Sequence, residues 1–414
     1  METDRDLRSA ARDDAGRARG LLPAAPGQSQ SVLAGLVGRT EDWLSRVENN
    51  RIHLDRLSVI RHISEALNVS IGDLVGEPTL LDRTTDRGVD TVPALRAVLT
   101  DYQLTSPLPD RDIGAGEPLT LDAIERDVAD LFDAYQASRY GYVTGRAPLV
   151  LSDALHAVRA VDRDESRRAQ ALLALAYQAA VSVLTKLGET ELAWIASERG
   201  LAAAQVSENP VVLGSLFRSV SHALHSTGRF AASVQLTSMA ADVLERHLST
   251  AADDALLSVY GSLFLTGSVA ASRADDRSAA TALLHEASES ASRLGRDANA
   301  MWTAFGPTNV AIHRMTAAMA LGDVQVAMDL APRIDASGLP TERRVRHAIE
   351  TARAYTACNR RDDALDVLLA AERLAPEQIC HHAISRQLVL GWLRTARGPR
   401  SVALEQLAGR LHLA

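Results

Sequence analysis

Lysine is almost absent from this chain of 414 residues: of 44 basic residues, every one but Lys186 is arginine. Cysteine is nearly as scarce. Cys358 and Cys380 stand 22 positions apart with no CxxC pairing, which excludes a zinc-ribbon site and a disulfide framework and points to a reducing, cytoplasmic setting. Aromatic residues make up only 4% of a chain that is 46% hydrophobic. The core must therefore be built from Ala and Leu, which favours closely packed helices over sheets. No apolar run is expected to cross a bilayer and the first twenty residues are polar, so neither a membrane partner nor a signal peptide is expected. The net charge of −8 excludes a basic signature spread over the whole chain.

Catalytic patterns are missing as well. No GxxxxGK[ST] phosphate loop and no HExxH pair occurs. His222 and His225 form an HxxH on a helical stretch, where packing between helices is the plainer role. His381 and His382 follow Cys380, but adjacent residues on a helix point apart and make a poor metal site. Without a convergent nucleophile, base or ligand set the chain reads as no enzyme, with no cofactor and no resident metal.

Against these absences one stretch is specific, Ser29 to Arg51. Leu33, Leu36 and Val37 recur at helical spacing, and Gly38 follows as a left-handed stop. Thr40 is placed to cap a second helix. There Leu44 and Val47 point inward, while Glu41, Asp42, Ser45 and Arg46 share a polar face. Asn50 suits a second stop. Two short helices joined by a tight turn, the second with a polar outer face, fit a helix-turn-helix. An ordinary αα-hairpin is the alternative.

Gln30, Leu33-Ala34, Gly38, Thr40, Leu44 and Glu48 together resemble the phage-repressor-like (XRE, or Cro/C1) helix-turn-helix. The resemblance implies a recognition helix in the major groove of double-stranded DNA. It implies base contacts from Glu41, Asp42, Ser45 and Arg46, and backbone contacts from Gln30, Arg39, Thr40 and Arg51. One module covers few base pairs, so a homodimer on a two-fold site is expected. Residues 29–65 carry five arginines and five acids, so phosphate attraction per copy is modest.

In chain order, residues 1–28 form an N-terminal segment whose helix is interrupted by Pro23 and Pro26. Residues 29–78 form the DNA-binding domain, with an amphipathic helix on Leu57, Ile60, Ile63 and Leu67 and a last short one capped at Ser70. Residues 79–120 read as a linker with one helical island opened by Pro93.

Residues 121–414 are helical in pattern. A turn signature recurs there: Gly188-Glu-Thr-Glu-Leu-Ala193, Gly228 to Ser233, Ala274 to Ala279, Gly322 to Ala327 and Asn359 to Ala364. These starts are 40, 46, 48 and 37 residues apart. A small residue closes one helix, a polar one opens the next, and Ala lets the two approach. This resembles the tetratricopeptide repeat, with longer and less regular spacing. Five or six helix pairs are expected across about 164–414. Most aromatics there read as core, while Trp302, Phe305 and Asn309, around the Gly306-Pro307 interruption, form the candidate ligand pocket.

The expected architecture is thus all-α, a helix-turn-helix domain followed by a tetratricopeptide-like solenoid that senses and oligomerises. The expected function is bacterial transcription regulation, with a peptide, protein or small-molecule effector setting dimer geometry. The alternative is a protein–protein adaptor with a vestigial helix-turn-helix.

Overall fold

The computed structural model describes residues 34, 40, 42, 91–101, 119–248, 253–395 and 401–413. Residues 84–272 and 276–414 form one compact unit; residues 1–83 group in the other with the three residues 273–275. In that other unit Ala34 is helical and buried, Thr40 is non-helical and exposed, and Asp42 is helical and exposed. The residues expected at 57–75 lie outside the described set.

The larger unit is all-α: its described residues form helices and their connections, without a strand. Helix α1 spans Val92–Thr100, α2 Leu121–Gln136, α3 Tyr140–Ala160, α4 Ser166–Leu187 and α5 Thr190–Ser207. Next come α6 Pro210–Ser226, α7 Phe230–Glu245, α8 Asp254–Arg273, α9 Arg277–Leu294 and α10 Pro307–Leu321. The chain continues with α11 Val324–Leu330, α12 Thr341–Ala357, α13 Arg361–Leu374, α14 Pro376–His381, α15 Ala383–Thr395 and α16 Val402–Arg410.

Local chemistry explains many of the boundaries. The Thr120 hydroxyl accepts from the Ala123 N–H at the start of α2, and Asn209 Oδ1 accepts from Val211 and Val212 ahead of Pro210 in α6. Asp276 and Ser401 cap α9 and α16 in the same way. All five repeats of the turn signature fall between the two helices of a pair. Gly188, Gly228, Gly322 and Asn359 are left-handed there, and in the third copy Asp275 takes that conformation, one residue after Ala274. Five positions after each start, Ala193, Ser233, Ala327 and Ala364 are buried. Ala279 packs against the core from a partly buried position.

A pair precedes those read from the signature. Ser138, between α2 and α3, is also left-handed (φ 60°). It carries neither the glycine nor the alanine of the pattern, which hides the pair from a sequence pass. The helix at 92–100 packs against α3 and α5, with Thr91 and Thr144 hydroxyls 2.5 Å apart and Arg96 Nη2 donating to Glu189 at 3.0 Å.

The helices of the pairs α2–α3, α4–α5, α6–α7, α10–α11 and α12–α13 pack on each other, and first helices also pack on first helices of the next pair: α2 on α4, α4 on α6, α10 on α12. The array also meets itself, because α2 touches α12 and α4 touches α14. Core residues of α7, α8, α9 and α10 merge into one cluster around Val259, Leu263 and Phe305. A second cluster joins α12, α13, α14, α15 and α16 around Ile349, Leu368 and Trp392.

Against the expectation from apolar runs, α4 and α8, with 22 and 20 residues, are long and apolar enough to cross a membrane. Both are mostly buried inside the fold, as core helices are. Four of the hydroxyls that break the apolar run in α8 return to their own helix, while Ser258 Oγ is buried without a partner. Ser262, Thr266, Ser268 and Ser272 each donate to a carbonyl three or four residues back. Each is thereby satisfied without leaving the core.

Candidate functional site

The polar residues of the larger unit converge on the first helices of its pairs. On α4, Gln178, Ser182 and Lys186 recur every four residues and share a face. Ser215, Arg218 and His222, spaced by three and then four, share a face of α6, where Gln178 Nε2 donates to Ser215 Oγ at 2.7 Å. Tyr135 comes from α2, Asn309 and His313 from α10, and Glu342, Arg343, Arg346 and Glu350 from α12.

Glu342 is the anchor. Its side chain is buried, with Lys186 Nζ at 2.5 Å and Arg343 Nε at 3.0 Å. Burial alone would raise its pKa, but Arg343, Lys186 and Arg346 hold the carboxyl well below the usual range, so it is ionised. Farther along α12, Glu350 is shared between Arg346 at 2.9 Å and Arg353 at 3.4 Å.

Arg218 differs from these cations. It forms no ion pair and no hydrogen bond with any described residue, and its Nε is buried without a partner. Burial, and then the like charge of Arg343, lower its pKa to about 10, with Tyr135 and Glu342 pulling the other way, so it stays charged at neutral pH. The interior around Glu342 thus holds three cations, Lys186, Arg218 and Arg343, against one carboxylate.

The surrounding rings are neutral. Burial first, then His225, Arg218, Arg343 and Lys186, push the pKa of His222 well below its ordinary value. Burial and Arg343 bring His313 to about 3, although the Asn309 carbonyl and Glu342 pull the other way. His313 Nδ1 lies 2.9 Å from that carbonyl. A carbonyl only accepts, so Nδ1 carries the hydrogen and Nε2 keeps a lone pair. Burial raises the Tyr135 phenol, with Lys186 opposing, so it stays protonated. Two amide oxygens, Gln178 Oε1 and Asn309 Oδ1, are buried without a partner.

These groups are deep, yet not sealed. Tyr135, Lys186, Arg218, His222, His313 and Arg343 each keep part of their surface accessible to solvent. These part-buried groups, drawn from five helices, border a region of the array called the recess; a fully packed core would deny such charges any solvent.

Contacts between distant pairs hold the recess in shape. Ser138 Oγ donates to Gln378 Oε1 at 2.7 Å, and Gln378 Nε2 donates to the Glu342 carbonyl at 3.1 Å. The Gly141 N–H donates to Glu377 at 2.8 Å. On the other side Gln136 and Asn299 exchange amide hydrogen bonds at 2.9 and 2.8 Å.

Of the pocket residues expected from sequence, only Asn309 shares a helix with this cluster. The Trp302 ring stacks on Phe132 with centroids 4.4 Å apart, and its Nε1 donates to Asp133 at 3.0 Å. It fastens the 295–306 connection to α2. Phe305 is fully buried in the core beside Gly261. Gly306-Pro307 marks the start of α10: Asp297 accepts from Thr308 N and Oγ1, and a Cβ at Gly306 would lie 2.5 Å from the Asp297 Cα. Thr40 and Asp42 are exposed. Gln30, Arg39, Glu41, Ser45, Arg46 and Arg51 lie outside the described residues.

His225 packs against Phe230 at 6.3 Å while its edge meets His222 at 5.5 Å, an interhelical role. Arg346 Nη1 lies 2.6 Å from His382 Nε2, a cation where a metal would have to sit. Among the described residues no three His, Cys, Asp or Glu side chains are grouped to hold a metal.

Sequence reasoning passed over Lys186, Arg218, Tyr135, Glu342 and Arg343. The available signal was chemical incongruity: the single lysine of the chain ends an apolar helix, and Arg218 interrupts another. No protein-family model, no curated protein and no solved structure matches the chain.

Proposed function

We propose that the protein is a sequence-specific DNA-binding transcription regulator whose helical unit, a tetratricopeptide-like array, senses an effector. The observation that carries the sensing half is the part-exposed recess around Arg218, a charged side chain that makes no ion pair with any described residue and whose Nε has no hydrogen-bond partner. A fold built only as a scaffold gains nothing from such a residue, because an unpaired buried charge destabilises it. A ligand that neutralises it obtains binding energy directly.

The DNA half rests on Ser29 to Arg51 and its resemblance to the XRE helix-turn-helix. Ala34 is helical, Thr40 is not and Asp42 is helical, states that the expected motif requires of those three residues. Arg46 reads guanine, and Glu41 or Asp42 accepts from cytosine, each pair discriminating by about 1–3 kcal/mol. Effector binding then shifts DNA affinity only through different affinities for two arrangements of the dimer.

Genomic binding-site mapping followed by gel shifts on a recovered site tests this reading. Arg46→Ala should weaken binding about tenfold or more and relax the preference at one position. Equal binding by the variant overturns the base-reading assignment. Recovery of no site at all favours the adaptor, a reading that the balanced charge of residues 29–65 supports.

A further inference from the structure

We infer that the recess between α2, α4, α6, α10 and α12 binds the oxyanion group of a small organic molecule, a carboxylate or a phosphate, with Arg218 as its principal ligand. As an effector site this rests on the regulatory reading above; as a binding site it stands on the following geometry.

Lys186, Arg218 and Arg343 share this interior with the Glu342 carboxylate, which is already engaged by Lys186 and Arg343. Among the described residues Arg218 therefore makes no ion pair of its own, and its Nε is buried without a hydrogen-bond partner. Glu350, the other buried acid on α12, is taken by Arg346 and Arg353. A guanidinium offers five N–H donors in a planar fork that matches two oxygens of a carboxylate or phosphate. The Arg218 side chain retains solvent access, so a solute can reach it without unfolding the array.

The remaining lining suits an organic anion better than a bare ion. The Tyr135 phenol is a donor, and the neutral rings of His222 and His313 offer flat, weakly polar walls. Both rings are neutral, so neither needs its own counter-ion.

The five helices come from the first, second, third, fifth and sixth pairs. A ligand on Arg218 therefore touches parts of the array that are far apart in sequence, and its binding energy reports on their relative placement. That is the differential contact an effector requires.

The test uses the full chain without DNA, so its failure is separable from failure of the regulatory reading. Thermal unfolding is followed in inorganic phosphate and, separately, in benzoate, each against chloride at equal ionic strength. At about ten times Kd the wild-type midpoint should rise by roughly 2 °C with at least one of the two anions. The responding anion identifies the phosphate or the carboxylate form of the ligand. Arg218→Met should abolish the rise, Arg218→Lys should keep part of it, and the surface variant Arg167→Ala should keep all of it. An equal rise in wild type and Arg218→Met assigns the effect to general salt exclusion and overturns the site. No rise in wild type with either anion overturns it too. If Arg218→Met fails to fold, the contrast between wild type and Arg218→Lys decides: identical responses to phosphate and benzoate, in magnitude and in midpoint concentration, overturn the role of the guanidinium fork.

Discussion

Lys186 and Glu342 meet at 2.5 Å although 156 residues separate them, and their pairing ties α4 of the second helix pair to α12 of the sixth. The carboxylate is buried while the ammonium keeps part of its surface in solvent. A contact of this kind closes the array on itself, so its loss should be felt as loss of closure as well as of stability.

Lys186→Met should destabilise the protein by about 2 kcal/mol, less than for a fully buried broken pair because Arg343 still holds Glu342. Adding Glu342→Gln should recover part of that loss, since no buried carboxylate is then left short of a partner. Urea denaturation of both variants checks the order. A double variant less stable than Lys186→Met would show that Glu342 contributes chiefly through Arg343.

Acid should weaken the protein earlier than its carboxylates alone would. The folded pKa of His313 is about 3 against an ordinary 6.5, and that of His222 is also lowered. Below pH 6.5 the unfolded chain gains protons that the folded chain does not. Stability is therefore complete above that pH and falls by up to about 1.4 kcal/mol per pH unit for each histidine as pH drops toward the folded value. Residual solvent contact reduces that slope. His222 is faced by His225, Arg218, Arg343 and Lys186, and His313 by Arg343, Arg346 and Glu342. Glu342, with a lowered pKa, adds its own loss only in more acidic solution. Denaturant midpoints at pH 7.5 and 5.0 should show a smaller fall in His313→Gln than in wild type, by about 1 kcal/mol. An identical fall would mean that His313 protonates as freely folded as unfolded.

Gly261 sits in α8 under the face of Phe305, where a Cβ would lie 2.0 Å from Phe305 Cζ. Gly261→Ala should cost about 2–3 kcal/mol by overpacking. Phe305→Leu should cost a similar amount alone by leaving a cavity. Combined, the two changes should cost less than their sum, a coupling that a double-mutant cycle in urea measures. Strict additivity would show that the ring moves aside at no cost.

The sequence alone determined the all-α character, because an Ala- and Leu-rich chain with 4% aromatics has helical periodicity and little that builds sheets. It also determined the turns within helix pairs. Gly188, Gly228, Gly322 and Asn359 are local signals, set by which residues tolerate a left-handed backbone. The pair joined at Ser138 escaped, since its turn closes on the same local backbone bonds without the glycine or the alanine of the pattern, and its side-chain bond to Gln378, 240 positions away, leaves no local trace. The site was the least legible part. Trp302, Phe305 and Asn309 stood out as large or unusual residues near a helix boundary, and the first two are placed in the packing that joins the helices. Arg218, Glu342 and Lys186 stand on three separate helices, and nothing in the chain order brings them together. Their meeting depends on how the helix pairs turn relative to one another until the array closes. That rotation is the sum of many small packing contacts between side chains distant in sequence, and only the tertiary structure decides it.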